Sequence, residues 1–168
     1  MSYYIEEKDF IRINIWAGLE RSKMSGFLFN YGFYLMNALL AIAAIIAKMP
    51  YGYFIFIGLL TMFPIIIRLS VIRRAKKNFS KNGVFKDHMI TMTVDEEKIC
   101  ETFYTREYCN KWEEILMVSE LKNMFVILVE NIRVLYIPKS AIAGNDRATF
   151  RELVMNKLDK KRIRNLKH

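Results

Sequence analysis

The sequence is poor in the residue patterns that most often carry chemistry. Its two cysteines and two histidines form no CxxC pair, Cys/His cluster or zinc-ligand spacing. Glycine-rich phosphate loops of the GxGxxG or GxxxxGK type are missing, as is the GxSxG elbow. Acidic residues come early in the chain and no apolar run stands near its start, so we expect no signal peptide. These absences predict no catalytic residues, no metal, no cofactor and no enzymatic activity.

The two cysteines leave two alternatives open. Cys100 falls in a predicted strand, where a cysteine behaves as a small core residue, and Cys109 falls in a polar stretch. Two cysteines in a strand-rich region could pair. A reducing cytosolic compartment would instead favour free thiols.

Two long apolar runs dominate the first half of the chain. They cover Gly26 to Ala47 and Tyr51 to Ile72, with only Lys48-Met49-Pro50 between them. As a helix, a run of this length extends roughly 33 Å, which is enough to cross a hydrocarbon core of about 30 Å. The sequence therefore predicts a two-helix transmembrane hairpin over residues 26–72.

Small and polar residues recur along one side of the first predicted span. They are Gly26, Asn30, Asn37, Ala41 and Ala44. An amide facing lipid would leave hydrogen-bonding groups unpaired, so we expect this stripe to face protein, with Gly58 and Thr61 as the matching surface. The functional alternative is a polar path for an ion or substrate. Pro64 falls inside the second span, a position that membrane helices tolerate.

Basic residues cluster beside the second span and at the end of the chain. The candidate contacts to anionic lipid are Arg68, Arg73, Arg74, Lys76, Lys77, Lys160, Lys161 and Arg162. The stretch between the two clusters is near neutral, so the net charge of +9 predicts membrane lipid rather than nucleic acid as the partner. The turn between the spans carries only Lys48. The positive-inside rule therefore places both termini in the cytoplasm.

The segment of residues 1–25 has an amphipathic pattern from Glu6 to Arg21. It could lie as a helix at the membrane surface, with Trp16 at headgroup depth. It could equally pack on the soluble domain.

Residues 73–83 predict a basic helix and linker, and residues 84–158 a cytoplasmic domain followed by a basic tail, 159–168. Alternating patterns predict about five antiparallel strands, near 88–94, 99–104, 115–121, 124–130 and 133–137. Pro138 closes the last strand, and a helix capped by Asn145 or Asp146 runs to about Leu158. The fold class is thus a helical hairpin plus a small α+β domain closed by a carboxy-terminal helix.

Trp112 stands at the start of a predicted strand, before two acidic residues. A tryptophan in this position is usually partly buried core. It could instead anchor a protein partner.

Three short motifs resemble the YcxB-like family of bacterial membrane proteins. They are Trp112-Glu113-Glu114-Ile115, Tyr136-Ile137-Pro138-Lys139 and Phe150-Arg151-Glu152-Leu153. The resemblance implies a carboxy-terminal domain similar to bacterial pleckstrin-homology-like folds, and it implies no activity. Lipid-binding pleckstrin-homology domains carry basic residues in their first strand turn, whereas Asp95-Glu96-Glu97-Lys98 is acidic.

These observations lead to an expected function without a named process. We expect a non-catalytic, multi-pass protein of the bacterial inner membrane that displays an interaction domain at the cytoplasmic leaflet. Its partners would be membrane lipids and either another protein or a second copy of the chain. A small oligomeric transport or channel component and an anionic-lipid sensor are the alternatives.

Overall fold

The computed structural model describes residues 1–81, 89–130 and 133–166. The chain divides into two compact units. One comprises residues 10–81, and the other joins residues 1–9 to residues 82–168. The first nine residues therefore belong to the second unit, apart from residues 10–25 of the predicted amino-terminal segment.

The helical unit contains the predicted hairpin. Helix α1 spans Glu7–Ile15 and continues as a π-helical turn, Trp16–Glu20. The first apolar run forms α2 (Lys23–Phe27), a π-helical turn (Leu28–Gly32) and α3 (Phe33–Ile46). The second run forms α4 (Tyr51–Lys81), which contains Pro64 and extends well beyond the apolar residues, as the sequence predicted.

Two helical stretches are long and apolar enough to cross a membrane, Met24–Ile46 and Tyr51–Lys81. Most of their apolar side chains are exposed, including Ile46, Ile55 and Leu59. At the other end of the unit, Phe10 packs against Phe79, with ring centroids 5.7 Å apart. Trp16 is buried, so it does not take the exposed position that the surface-helix interpretation requires.

The strands of the second unit form two four-stranded sheets within the described residues. Sheet A has the order β1-β2-β3-β4, formed by Ser2–Tyr4, Met89–Val94, Lys98–Phe103 and Arg106–Lys111. Sheet B has the order β7-β6-β5-β8, with β5 Ile115–Glu120, β6 Met124–Val129, β7 Val134–Pro138 and β8 Ile163–Arg164. Neighbouring strands are antiparallel except for the parallel pair of β5 and β8.

Helix α5 (Gly144–Lys157) covers sheet B. Its Phe150 makes an edge contact with Phe125 of β6 at 4.9 Å between ring centroids, and Val154 is fully buried. Strand β6 is buried along its whole length, as its unbroken apolar run predicted. Pro138 ends β7, also as predicted, because it has no N–H to donate to the next rung.

The prediction of about five strands was too low. It missed β1, β4 and β8, and it treated the β4 stretch as a loop. Strand β4 is an edge strand with five of its six residues exposed, so it carries no alternation of apolar and polar residues to reveal it. Strand β1 depends on pairing Tyr3 with Ile90, far along the chain. Helix α5 begins at Gly144 with no side-chain cap, rather than at the predicted Asn145 or Asp146. The predicted start of β2 at His88 lies outside the described residues.

Candidate functional site

Two residues of the family motifs, Lys139 and Arg151, form a charge cluster with the buried Glu120. Glu120 lies at the end of β5 with its side chain only 3 % exposed. Arg151 of α5 donates to both of its carboxylate oxygens, at 2.7 and 3.0 Å. Lys139, directly after β7, donates to the same carboxylate at 2.6 Å. The Glu120 carboxylate thereby holds the pKa of Arg151 above its ordinary value. These motif residues fasten α5 to sheet B.

A second arginine of α5 completes this attachment. The Arg147 guanidinium donates to the backbone carbonyl of Ile142 at 3.2 Å and to that of Lys139. Arginine can satisfy several carbonyl groups at once because its donors are fixed in one plane. The turn between β7 and α5 is therefore held by side chains of the helix itself.

A buried tyrosine pair joins the two sheets. The Tyr3 hydroxyl of β1 donates to the backbone carbonyl of Tyr136 in β7, and their rings meet edge to face at 5.3 Å. Burial raises the pKa of both tyrosines. Near this pair, Arg133 forms an ion pair with Glu101 of β3 and lies 4.3 Å above the Tyr108 ring. The amino-terminal strand is thus an integral part of the domain.

The Asp9 carboxyl lies near Tyr136, in an environment that disfavours its ionised form. Burial, with a smaller contribution from Glu6, raises the pKa of the Asp9 carboxyl. An acid whose pKa is higher in the folded state binds more protons when folded, so its contribution to stability falls as pH rises above about 4.

We expect Asp9→Asn to remove this loss of stability. The melting temperature of the variant should exceed that of the native chain by a margin that grows as pH rises above about 4 and becomes constant once the Asp9 carboxyl is ionised in the folded chain. Glu7→Gln, an exposed neighbour, is the control, and equal pH profiles for native chain and Asp9→Asn would contradict the assignment.

The described part of the domain contains a cleft of about 860 Å³. It lies between the turn after β2, the 3₁₀ turn Trp112–Glu114 and the carboxy-terminal end of α5. Five basic side chains line it, Lys98, Lys111, Lys157, Lys160 and Arg162. Four acidic side chains also line it, Glu96, Glu97, Glu113 and Asp159. A wall of mixed charge matches a polar surface that carries both signs better than a purely anionic group.

Several polar groups around the cleft are already engaged in holding the fold. The Asp95 carboxylate accepts hydrogen bonds from the amides of Glu97 and Lys98, both at 2.8 Å, and these bonds lower its pKa. The Arg162 guanidinium donates to the carbonyls of Glu113 and Ile115 at 3.3 and 3.2 Å. These groups shape the cleft walls.

Trp112 does not have the exposed position that a partner anchor needs. Its residue is 4 % exposed, and its indole N–H donates to the Asp95 carbonyl at 3.0 Å. The structure places it in the floor of the cleft as a packed residue. This burial favours the core interpretation of Trp112 over the partner-anchor interpretation.

The predicted lipid contacts fall into two groups. Arg68, Arg73, Arg74, Lys76 and Lys77 lie exposed along α4. In the tail, Lys160 and Lys161 are exposed, whereas Arg162 is committed to the carbonyls that it binds. The tail also forms a 3₁₀ turn and β8 rather than an extended basic end.

The polar stripe of the hairpin is the least exposed side of its first arm. Asn37 is 3 % exposed and donates to the Thr61 hydroxyl of α4 at 3.2 Å, while Thr61 donates to the Ile57 carbonyl. Gly26 and Ala44 are buried, and Ala41 is half-buried. Asn30 differs, because its amide donates to the Gly26 carbonyl of its own helical stretch. Gly58 also differs, since it is exposed and a Cβ there would meet no heavy atom within 4 Å. Gly58 therefore does not belong to the helix contact.

The Asn37–Thr61 bond should be measurable as a coupling between two substitutions. We expect Asn37→Leu and Thr61→Val to be non-additive by about 0.6 kcal/mol, the usual size for a polar contact between membrane helices. Thermal unfolding of the four combinations in detergent gives the value. Asn30→Leu paired with Thr61→Val is the matched control and should be additive, because Asn30 bonds within its own arm. A coupling of equal size in both pairs would show that the bond is not its source.

The two cysteines of sheet A are paired, which is one of the two alternatives that the sequence left open. Cys100 of β3 and Cys109 of β4 form a disulfide, so the expectation of free thiols is wrong for this structure. The register of β3 and β4 places these two residues directly opposite each other. The sequence prediction treated the β4 stretch as a loop, so it could not indicate this pairing. The Glu107 carboxylate lies within 4.8 Å of both sulfur atoms.

The chain thus combines a hairpin of two long apolar helices with an α+β domain of two sheets and a covering carboxy-terminal helix. Residues 110–154 match the family described as YcxB-like protein. The match covers the end of β4 through most of α5 and includes all three motifs, so the predicted resemblance is confirmed over this segment. No curated protein and no solved structure matches the chain.

Proposed function

We propose that the hairpin anchors this protein in the bacterial inner membrane, with both termini in the cytoplasm. The exposed apolar side chains of α3 and α4 support this proposal, because lipid would shield these side chains from water. The exposed basic residues that follow the apolar part of α4 support the orientation, since the turn between the arms has only Lys48.

We infer a pleckstrin-homology-like fold for the second unit. Support comes from its order of elements, in which a four-stranded antiparallel sheet is followed by the β5-β6-β7 meander and then by a helix. In this chain the first strand of sheet A is β1, which is separated from β2 by the whole hairpin. The hairpin would then be an insertion between the first two strands of the domain.

The domain's role, in this proposal, is to bind another protein without catalysing a reaction. The observation that carries it is the cleft of mixed charge beside Trp112. Its volume suits several side chains of a partner. Asp95, in the turn beside the cleft, is held by backbone amides and has a lowered pKa, which suits turn formation rather than proton transfer.

In-cell crosslinking of the full chain tests this role. A photo-crosslinking residue at Lys160, which is exposed at the cleft, should capture one stoichiometric protein. Lys98→Gln should reduce that capture at least tenfold, whereas Lys122→Gln, an exposed change away from the cleft, should leave it unchanged. Undiminished capture by Lys98→Gln would contradict the cleft as the binding surface. A purified protein that turns over a substrate would contradict a non-catalytic role.

A second candidate function is recognition of anionic lipid. It is favoured by Arg73, Arg74 and Lys77, which are exposed where α4 passes beyond its apolar residues. Each basic group near an anionic surface contributes about 1 kcal/mol. Native mass spectrometry of the detergent-extracted chain should show retained anionic lipid, and changing these three residues to glutamine should remove it. Retention unchanged by the triple substitution would end this candidate.

The transport alternative rests on Asn30 and Asn37. The amide nitrogen of Asn37 donates to Thr61 and that of Asn30 to its own backbone, so in these two described side chains the one buried amide atom without a partner is the Asn37 carbonyl oxygen. A single oxygen does not make a polar path. We do not propose it.

A further inference from the structure

The disulfide of sheet A lies on a surface that solvent can reach. Cys100 and Cys109 are direct register partners on the edge pair of strands, β3 and β4. Cys100 is 3 % exposed, whereas Cys109 is exposed. Cys109 is therefore the more accessible of the two residues to an attacking thiolate.

The backbone keeps the two sulfur atoms close whether or not they are bonded. The Cα atoms are 4.0 Å apart, and the ladder continues on both sides of the pair, with Lys98 opposite Lys111 and Thr102 opposite Glu107. Breaking the disulfide removes one covalent link between β3 and β4, whose register is still held by the neighbouring backbone pairs. The thiols would remain within reach of each other and could be reoxidised.

Charged side chains surround the pair on the same face of the sheet. Lys98 and Lys111 are each two residues from a cysteine and therefore point to the cysteines' side. Cationic neighbours favour the thiolate that attacks or leaves during exchange. Glu107, within 4.8 Å of both sulfur atoms, opposes them. Partial exposure together with basic neighbours distinguishes exchangeable cysteines from inert structural ones.

The proposed location of the domain favours reduction of the Cys100–Cys109 disulfide. The proposed orientation places the domain in the cytoplasm, where dithiol reductants keep most cysteines reduced. A solvent-accessible disulfide there would be opened and closed rather than permanent. Lys98 and Lys111, the next register pair on the same face of the sheet, also line the cleft, so the disulfide links the two strands that contribute to one cleft wall.

We propose that Cys100 and Cys109 form a reversible thiol–disulfide site, opened by a protein or small-molecule dithiol and closed by a thiol oxidant. The reductant's thiolate attacks the Cys109 sulfur, the bond between the cysteines breaks, and the Cys100 sulfur leaves and takes a proton. The second thiol of the reductant then attacks the mixed disulfide and releases Cys109. Two electrons and two protons pass to the cysteines, and the reductant becomes a disulfide. Reduction removes the covalent link between β3 and β4 and so makes local opening of this strand pair easier, while the register pairs on both sides still hold it. Any effect on partner binding rests on the proposed function of the cleft.

Thiol labelling of the full chain in detergent tests the site cleanly, because the chain has only these two cysteines. After dithiothreitol at neutral pH without denaturant, intact mass should show two maleimide labels per chain, and diamide should return the count to zero. Amide exchange of residues 98–111 should be at least tenfold faster in the reduced form, while β6 stays protected. Labels that appear only when β6 also loses protection would show a structural disulfide and overturn the proposal.

Single-cysteine variants test the direction of attack. In Cys100→Ser, the thiol of Cys109 should react with maleimide at least tenfold faster than the thiol of Cys100 does in Cys109→Ser. Equal rates would contradict attack at Cys109. In cells, alkylation should find the oxidised fraction rising with a thiol oxidant and falling after its removal, and a fraction fixed at either extreme would overturn reversibility. The labelling result does not depend on a partner, so it can hold even where capture at the cleft fails.

Discussion

Glu120→Gln is expected to destabilise the carboxy-terminal domain by about 3 kcal/mol, the lower end of the cost of breaking a buried ion pair. The carboxylate is nearly inaccessible and serves two cations, Lys139 and Arg151. A neutral amide would leave both cations without a counter-charge. The side chains of these cations remain 19 % and 25 % exposed, so water offsets part of the loss.

Hydrogen exchange of β6 in the full chain gives the measurement, because these amides open only with the domain. A loss of about 3 kcal/mol corresponds to exchange roughly 100-fold faster. Glu152→Gln, an exposed change on the same helix as Arg151, is the matched control and should leave exchange unchanged. Replacing all three charged residues by apolar ones, Glu120→Leu with Lys139→Met and Arg151→Met, should restore much of the stability. If Glu120→Gln matched its control, the cluster would not hold α5.

Trp112→Ala is expected to cost about 3–5 kcal/mol, the usual range for removing a large buried aromatic residue. The ring is buried, and its N–H satisfies the Asp95 carbonyl at the turn between β2 and β3. The substitution would therefore open a cavity and leave that carbonyl without its donor. Trp112→Phe keeps most of the apolar contact and should cost less, about 1–2 kcal/mol.

This result separates the two interpretations of Trp112 that the sequence left open. A core residue predicts faster hydrogen exchange across sheets A and B in the full chain. A partner anchor predicts a domain of native stability that has lost only its binding. Leu116→Ala, at a more exposed position on β5, is the control and should have a small effect.

The parts of the fold with strong local patterns could be predicted from sequence. The two apolar runs predicted the long helices, and the unbroken apolar run at 124–129 predicted the buried strand β6. The parts that depend on distant partners could not be predicted. Tyr3 joins sheet A only because Ile90 lies opposite it, and the short parallel strand β8 has no pattern of its own.

The candidate site was foreseen only in fragments. The family motifs contained Lys139 and Arg151, but their meeting at Glu120 requires three elements that sequence spacing does not relate. The cleft likewise combines the turn after β2 with the end of α5. Trp112 stood out in the sequence because tryptophan is rare. Its burial and its hydrogen bond to the Asp95 carbonyl depend on the turn between β2 and β3, which the sequence around Trp112 does not reveal. Contacts between residues that are far apart in the sequence leave no local sequence pattern from which they could be predicted.

Cysteine accessibility across the membrane tests the central claim, a hairpin with its turn outside and its domain inside. With Cys100 and Cys109 both changed to serine, a cysteine is placed either at Lys48, in the turn, or at Thr105, between β3 and β4. We expect an impermeant maleimide to label Lys48→Cys in intact spheroplasts and Thr105→Cys only after lysis. Labelling of Thr105→Cys in intact spheroplasts, or release of the chain from membranes by alkaline carbonate, would contradict the account.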